Sequence, residues 1–207
     1  MKKLVMILMA FCLTMPATVN AQSKAVKKEV KAKMKDYKKR GYEVFGTSRT
    51  LETVLTKHYT TLEEKDGKVM EIVGFARAKS YNVAATAAQN SAANRYATTA
   101  SAQVKGRMLA DMANDVANLE AEFDKFYAAY EAKVEQEIRG ELRPSFSVMK
   151  KNDDGTIQVE AFYLVDEDAA SRARINAFKN SQAESAAAQK YAQRVSDFVN
   201  ERVIPEN

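Results

Sequence analysis

The sequence predicts an α+β domain in which a small antiparallel sheet is packed by an alanine-rich helix and further long helices. Three observations lead to this prediction. Short segments rich in β-branched residues lie between helical segments, and helical periodicity dominates the rest of the chain. The last two predicted strands flank an Asp-Gly turn at positions 154–155, which is typical of a β-hairpin. The order of the elements pairs runs of strands with helices on one side of the sheet, which is typical of an α+β domain with an antiparallel sheet.

The first 21 residues have the pattern of a secretory signal peptide. Lys2 and Lys3 precede the apolar run 4–13, and small side chains lead up to Ala21. The run is shorter than the roughly 17 to 25 apolar residues that a membrane anchor needs. We therefore predict cleavage after Ala21 and export to the periplasm, the outer membrane or the medium, with no transmembrane segment in the mature chain.

Cysteine usage excludes several kinds of chemistry. The single cysteine, Cys12, lies inside the predicted signal peptide, so the mature chain has no disulfide, thiolate metal site or cysteine nucleophile. Lipid attachment at Cys12 is disfavoured because Phe11 precedes it and the apolar run continues beyond it.

Residues 22–41 are predicted to form a basic amphipathic helical arm. Ser23 is suited to cap its start and Gly41 to end it in the left-handed conformation. Positions 24–40 hold nine basic and two acidic residues, whereas the rest of the mature chain is mildly acidic. Seven lysines are candidates for binding an anionic surface: Lys24, Lys27, Lys28, Lys31, Lys35, Lys38 and Lys39. The alternative is a solvated helix that packs through its apolar stripe of Val26, Val30, Met34 and Tyr37.

Residues 42–166 are predicted to form the α+β domain itself. Its first half contains a short strand at 42–45, a helix at 50–64 and a strand at 69–78. Gly74 within that strand indicates a bulge or a close backbone approach. A helix from Asn82 to about Ala102 follows, and its many alanines favour both helix formation and close packing on a sheet.

The second half of this domain contains a long helix and the hairpin. Positions 104–109 fit either a strand or a continuing helix, and Gly106 favours a break. An apolar stripe with three- and four-residue spacing predicts a helix over 116–139. The segments 145–149 and 157–165 are predicted to pair as the hairpin.

Residues 167–207 are predicted to form one long helix that runs to about Val203. Such a helix would be about 55 Å long, more than the roughly 40 Å width of a domain of this size. We therefore expect a break at Asn180-Ser181 or an overhang. Its apolar stripe is expected to pack on the domain, the basic arm or a second copy of the chain.

The order of these elements resembles a known family. Gly74-Phe75-Ala76, the alanines at 84, 88 and 92, and the late hairpin at 146–165 are similar to the Lpp-twenty lipoprotein family of bacterial envelope proteins. That family is similar in plan to the N-terminal domain of flagellar assembly protein T. The resemblance covers residues 42–166 and implies a small envelope domain with no catalytic residues to carry over. The sequence departs from the family in lacking a convincing lipidation cysteine.

Motifs for catalysis, cofactors or metals are not found in the sequence. The only histidine, His58, lies on the apolar face of a predicted helix, where packing is a more common role than proton transfer. Ser147 and Lys150 have the Ser-x-x-Lys spacing but fall in a predicted strand, and Asp153 and Asp154 fit a turn better than a calcium loop. We predict a protein that is not an enzyme and has no cofactor.

Two functions are compatible with these features. The first is a non-enzymatic envelope protein that binds another envelope protein or an anionic polymer or lipid surface, with nucleic acid disfavoured by export. The second is a periplasmic small-ligand carrier or an enzyme with a pocket between sheet and helices. Tyr59, Arg77, Tyr81 and Tyr96 are the candidate polar groups of that pocket.

Overall fold

A computed structural model of the chain describes residues 23–116 and 120–203 and confirms the α+β class. The predicted signal peptide with its cleavage point after Ala21 lies outside these residues. Four antiparallel strands form one sheet in the order β1-β3-β4-β2. The strands are β1 (Glu43–Phe45), β2 (Val69–Ala78), β3 (Arg143–Lys151) and β4 (Ile157–Asp166).

The described residues contain seven α-helices. They are α1 (Lys24–Arg40), α2 (Leu51–Glu64), α3 (Tyr81–Val116), α4 (Glu120–Arg139), α5 (Glu167–Ser181), α6 (Ala186–Lys190) and α7 (Ala192–Asn200). The strands β3 and β4 form the predicted late hairpin.

Helices cover both faces of the sheet, so the expectation of helices on one side was wrong. Val159, Ala161 and Val165 of β4 point into a large core formed with α3 to α7. Phe162, between them, points the other way into a second core formed with α1 and α2. This arrangement follows from the side-chain period of two along a strand, because both sets of positions on β4 include large apolar residues.

Helix α1 is an integral layer of this fold. Its apolar stripe is buried at Val26, Val30 and Tyr37 against the second face of the sheet. The Ser23 side chain accepts a hydrogen bond from the Val26 amide, and Gly41 ends the helix with a φ of 73°. Both ends are as predicted, because capping and left-handed glycine are local signals.

Helix α3 is longer than predicted, and the break at Gly106 was wrong. The helix runs through 104–109 without interruption. A glycine inside a helix costs only about 1 kcal/mol, and Val104 and Met108 on either side of Gly106 are buried in the large core. The predicted start of the following helix at Val116 was also wrong, because Val116 is the last residue of α3.

The C-terminal segment folds back on the domain, so a single long helix was wrong. The break predicted at Asn180-Ser181 is confirmed, because α5 ends at Ser181. A second break at Tyr191 separates α6 from α7. Ala187, Val195 and Val199 are buried in the large core. As far as the structure describes it, to residue 203, this stripe is used inside the chain, and homo-oligomerisation through the C-terminal helix stays a prediction.

Candidate functional site

The exposed surface of α1 is a continuous face of lysines, which we call the lysine face. It consists of the seven predicted residues Lys24, Lys27, Lys28, Lys31, Lys35, Lys38 and Lys39, all of which are exposed. At roughly 100° per residue, these seven positions fall within an arc of about 120°. The helix turns this arc away from the sheet because Val26, Val30 and Tyr37 occupy the opposite side.

The charges of the lysine face are not neutralised by neighbouring carboxylates. Within residues 23–116 and 120–203, none of the seven lysines forms an ion pair. The two acids of α1 lie on another side of the helix: Asp36 pairs with Arg40, and Glu29 faces a groove. The lysines are therefore segregated from the acids, which increases the local positive potential.

A half-open groove of about 600 Å³ lies beside the same helix. One wall is formed by α1 and α2, the other by α3, and the floor by the edge strand β2 with part of its neighbour β4. Its charged and phenolic side chains are Glu29, Lys33, Tyr37, Arg40, Tyr59, Glu71, Arg95, Tyr96 and Glu160.

The structure brings together two of the four residues predicted to line a pocket. Tyr59 and Tyr96 lie in the groove, on opposite walls. Burial raises the pKa of Tyr96 to about 12, even though Arg174 acts in the opposite direction. Arg77 is instead paired with Asp154 at the hairpin turn, and Tyr81 packs against Phe45 with ring centres 3.5 Å apart. These two residues are not part of the groove.

Arg40 closes one end of the groove. Its guanidinium donates a 2.9 Å hydrogen bond to Glu160 and lies against the rings of Tyr37 and Tyr42, at 5.1 and 4.7 Å from their centres. Glu160 is only 5% exposed, so this ion pair is what neutralises a buried carboxylate. Burial is also the main cause of the raised pKa of Tyr37.

His58 is buried as part of a polar row that crosses the second face of the sheet. Its Nδ1 lies 2.9 Å from the Ser145 hydroxyl oxygen, and its Nε2 contacts the Glu71 carboxylate. Ser145 reaches the ring because a bulge interrupts the pairing of β3 between Pro144 and Phe146.

The Ser145–His58–Glu71 row has the residue types of a hydrolytic triad, but its glutamate rather than its serine faces the groove. A nucleophilic serine must face the substrate cavity. Here the carboxylate of Glu71 lines the groove, whereas Ser145 and His58 do not. The row therefore fixes the orientation of Glu71 at the floor of the groove.

The described residues contain no group of three or more side chains suited to ligating a metal. No helix among those that the structure describes is long and apolar enough to cross a membrane.

Comparison with protein-family models, curated proteins and solved structures finds no match to this chain.

Sequence reasoning missed most of the groove. Lys33, Glu71 and Arg95 come from α1, β2 and α3, and no motif links their positions in the sequence. One signal was present: Glu71 is a carboxylate in the middle of an otherwise apolar strand, 69–73. A charged residue at such a position indicates either a partner or a site.

Proposed function

We propose that this protein is exported to the cell envelope and acts there without catalysis, by binding an anionic polymer or lipid surface. The lysine face of α1 is the binding element. The observation that supports this proposal is the segregation of seven exposed, unpaired lysines on a helix whose apolar stripe is buried against the sheet.

The physical basis of the binding is electrostatic. A lysine close to an anionic membrane contributes on the order of 1 kcal/mol, so seven on one face of a helix together favour binding by several kcal/mol. The lysine face carries none of the large apolar side chains that an interfacial helix inserts into lipid. The protein is therefore expected to bind at the surface and to leave it when salt screens the charges.

Co-sedimentation of the mature chain, residues 22–207, tests this proposal. The chain is incubated with outer-membrane vesicles and, separately, with cell-wall sacculi, at about 20 mM and about 500 mM salt. We expect it to pellet with at least one support at low salt and to be released at high salt, where the Debye length falls to about 4 Å. Binding that is insensitive to salt, or no binding to either support, would contradict the proposal.

The groove supports a second candidate function, that of a small-ligand carrier. Tyr59 and Tyr96 are two of the residues on which that hypothesis depended, and both line the groove. The groove is half open, whereas carriers usually bury 70–90% of a ligand's surface. A thermal-shift screen with small aromatic and anionic metabolites tests this candidate, because a bound ligand stabilises the folded state.

A further inference from the structure

The groove follows the unpaired edge of a strand. Strand β2 lies at one end of the sheet and pairs only with β4. The Lys68 carbonyl, one residue before β2, accepts a 2.8 Å hydrogen bond from Glu167. Because antiparallel pairing alternates, the even positions of β2 point their backbone groups toward β4 and the odd positions point them outward, into the groove.

Some of these outward groups are already engaged. Arg95 of α3 donates a 3.0 Å hydrogen bond to the Val73 carbonyl, and the Ser91 hydroxyl accepts from the Phe75 amide at 3.4 Å. The Val69 amide donates to the Lys65 carbonyl at 3.1 Å. Native proteins protect edge strands in this way against unwanted pairing.

A short stretch in the middle of the edge is left open. For the Val69 carbonyl, both backbone groups of Glu71 and the Val73 amide, the described part of the chain provides no hydrogen-bond partner. These four groups follow the two-residue repeat of a β-strand. An antiparallel strand placed opposite Glu71 would pair with all four of them.

The walls of the groove determine what can reach this edge. Tyr59 and Leu62 rise on one side of β2, and Tyr96 and Thr99 rise on the other. A single extended chain lies only about 4.8 Å from its neighbour and fits between two layers of helices. The β2 edge of a second copy would bring its own flanking helices and collide with these walls, so a slender segment is favoured over a dimer.

The unpaired charge of Lys33 sets one further requirement for a ligand of the groove. Lys33 is half-buried on the α1 wall and forms no ion pair with any of the side chains that the structure describes. Glu71, which also lines the groove, is held by His58. A partly desolvated ammonium is stabilised by a carboxylate at hydrogen-bond distance.

We propose that the groove is a binding site for an extended peptide segment of a partner protein, which adds to β2 as a fifth strand. The segment is about five residues long, has apolar side chains that pack on the two walls, and carries an acidic residue that pairs with Lys33. This is the mode of recognition known as β-augmentation. The site is independent of the proposed function, because Lys33 is not part of the lysine face.

Peptide selection is the experiment that tests this site. The probe is a displayed library of random ten-residue peptides, selected against the mature chain at high salt so that the lysine face is screened. The selected peptides are synthesised with a fluorophore and titrated by fluorescence polarisation. Hydrogen exchange then follows the amides of Glu71 and Val73 with and without the peptide.

Two threonine variants give a matched pair. Thr99→Trp fills the groove from the α3 wall, whereas Thr98→Trp places the same side chain at a neighbouring position that contacts Glu131 outside the groove. We expect Thr99→Trp to weaken binding at least about tenfold, or 1.4 kcal/mol, and Thr98→Trp to leave it unchanged. Lys33→Gln is expected to weaken only those peptides that contain an acidic residue.

Binding should also slow exchange of the Glu71 and Val73 amides in the unmodified protein, at least about tenfold, because these amides gain hydrogen bonds. This readout does not depend on the folding of any variant. The proposal is overturned if no peptide is selected, if the two amides are not protected, or if Thr98→Trp and a folded Thr99→Trp bind equally. It fails in the same way if small molecules from the thermal-shift screen protect these amides and peptides do not.

Discussion

Gly74→Ala is expected to destabilise the protein by about 3 kcal/mol or more. Gly74 lies where α3 crosses β2, and a Cβ at this position would overlap the carbonyl oxygen of Ala88 and lie 3.0 Å from the Ala92 nitrogen. Both obstacles are backbone atoms, so no side-chain rotation relieves them. The helix would have to move away from the sheet, and the fully buried alanines of α3 would lose their contacts. Urea unfolding followed by circular dichroism measures the loss.

Gly106→Ala is the control for this substitution. Gly106 lies within α3, but apart from its chain neighbours and the adjacent helix backbone no atom comes within 4 Å of the Cβ that it would gain. The higher helix propensity of alanine should therefore stabilise the protein by up to about 1 kcal/mol. If both glycine variants behaved alike, the close approach of α3 to the sheet would be incorrect.

Arg174→Met is expected to cost about 3 kcal/mol through a buried polar network. Arg174 is 1% exposed. It donates hydrogen bonds to the Tyr96 hydroxyl at 2.5 Å, to Glu167 at 2.8 Å and to the Val199 carbonyl at 3.0 Å. These bonds join α3, α5 and α7. Methionine fills a similar volume but leaves three polar groups without their donor, which is more costly than the loss of the bonds themselves.

Arg172→Met provides the matched control for Arg174. Arg172 is exposed two residues earlier on the same helix, so its replacement should change the free energy of unfolding by less than about 0.5 kcal/mol. Adding Glu167→Leu to Arg174→Met should recover part of the loss, because it removes the carboxylate that was left unpaired. A double variant with the full sum of both costs would contradict the network.

The elements that the sequence predicted correctly carry strong local signals. Ser23 and Gly41 bound α1, a strand of β-branched residues fixes β2, and the Asp-Gly turn fixes the hairpin. The close approach at Gly74 was also predictable, since a glycine followed by a row of alanines leaves little room between a strand and a helix.

The errors arose where distant contacts override local preference. Gly106 did not break α3, because packing in the large core stabilises the helix on both sides of it. The C-terminal segment turned twice and packed on its own domain, which periodicity cannot show. The groove combines residues of α1, α2, β2, β4 and α3, so predicting it requires knowing that α1 packs across the sheet from α3.

We propose that the lysine face binds an anionic surface of the envelope. Deleting α1 would not test it cleanly, because α1 covers Leu55, Phe146 and Phe162 of the second core. Substituting the exposed lysines is a more specific test than deleting the helix. Changing the seven lysines of the face to glutamine leaves the buried stripe intact, so the melting temperature should change little.

A control variant with the same net charge separates position from total charge. It carries glutamine at seven other exposed lysines, none of which forms an ion pair within the described residues: Lys57, Lys65, Lys68, Lys79, Lys125, Lys133 and Lys179.

The most direct measurement is low-salt co-sedimentation of these two variants beside the unmodified mature chain, with the support that the unmodified chain binds. We expect the lysine-face variant to lose at least about 100-fold in affinity, because each lysine contributes on the order of 1 kcal/mol, while the control variant stays within about threefold of the unmodified chain. Equal losses in both variants would mean that net charge alone drives binding. Undiminished binding by the lysine-face variant would contradict the account.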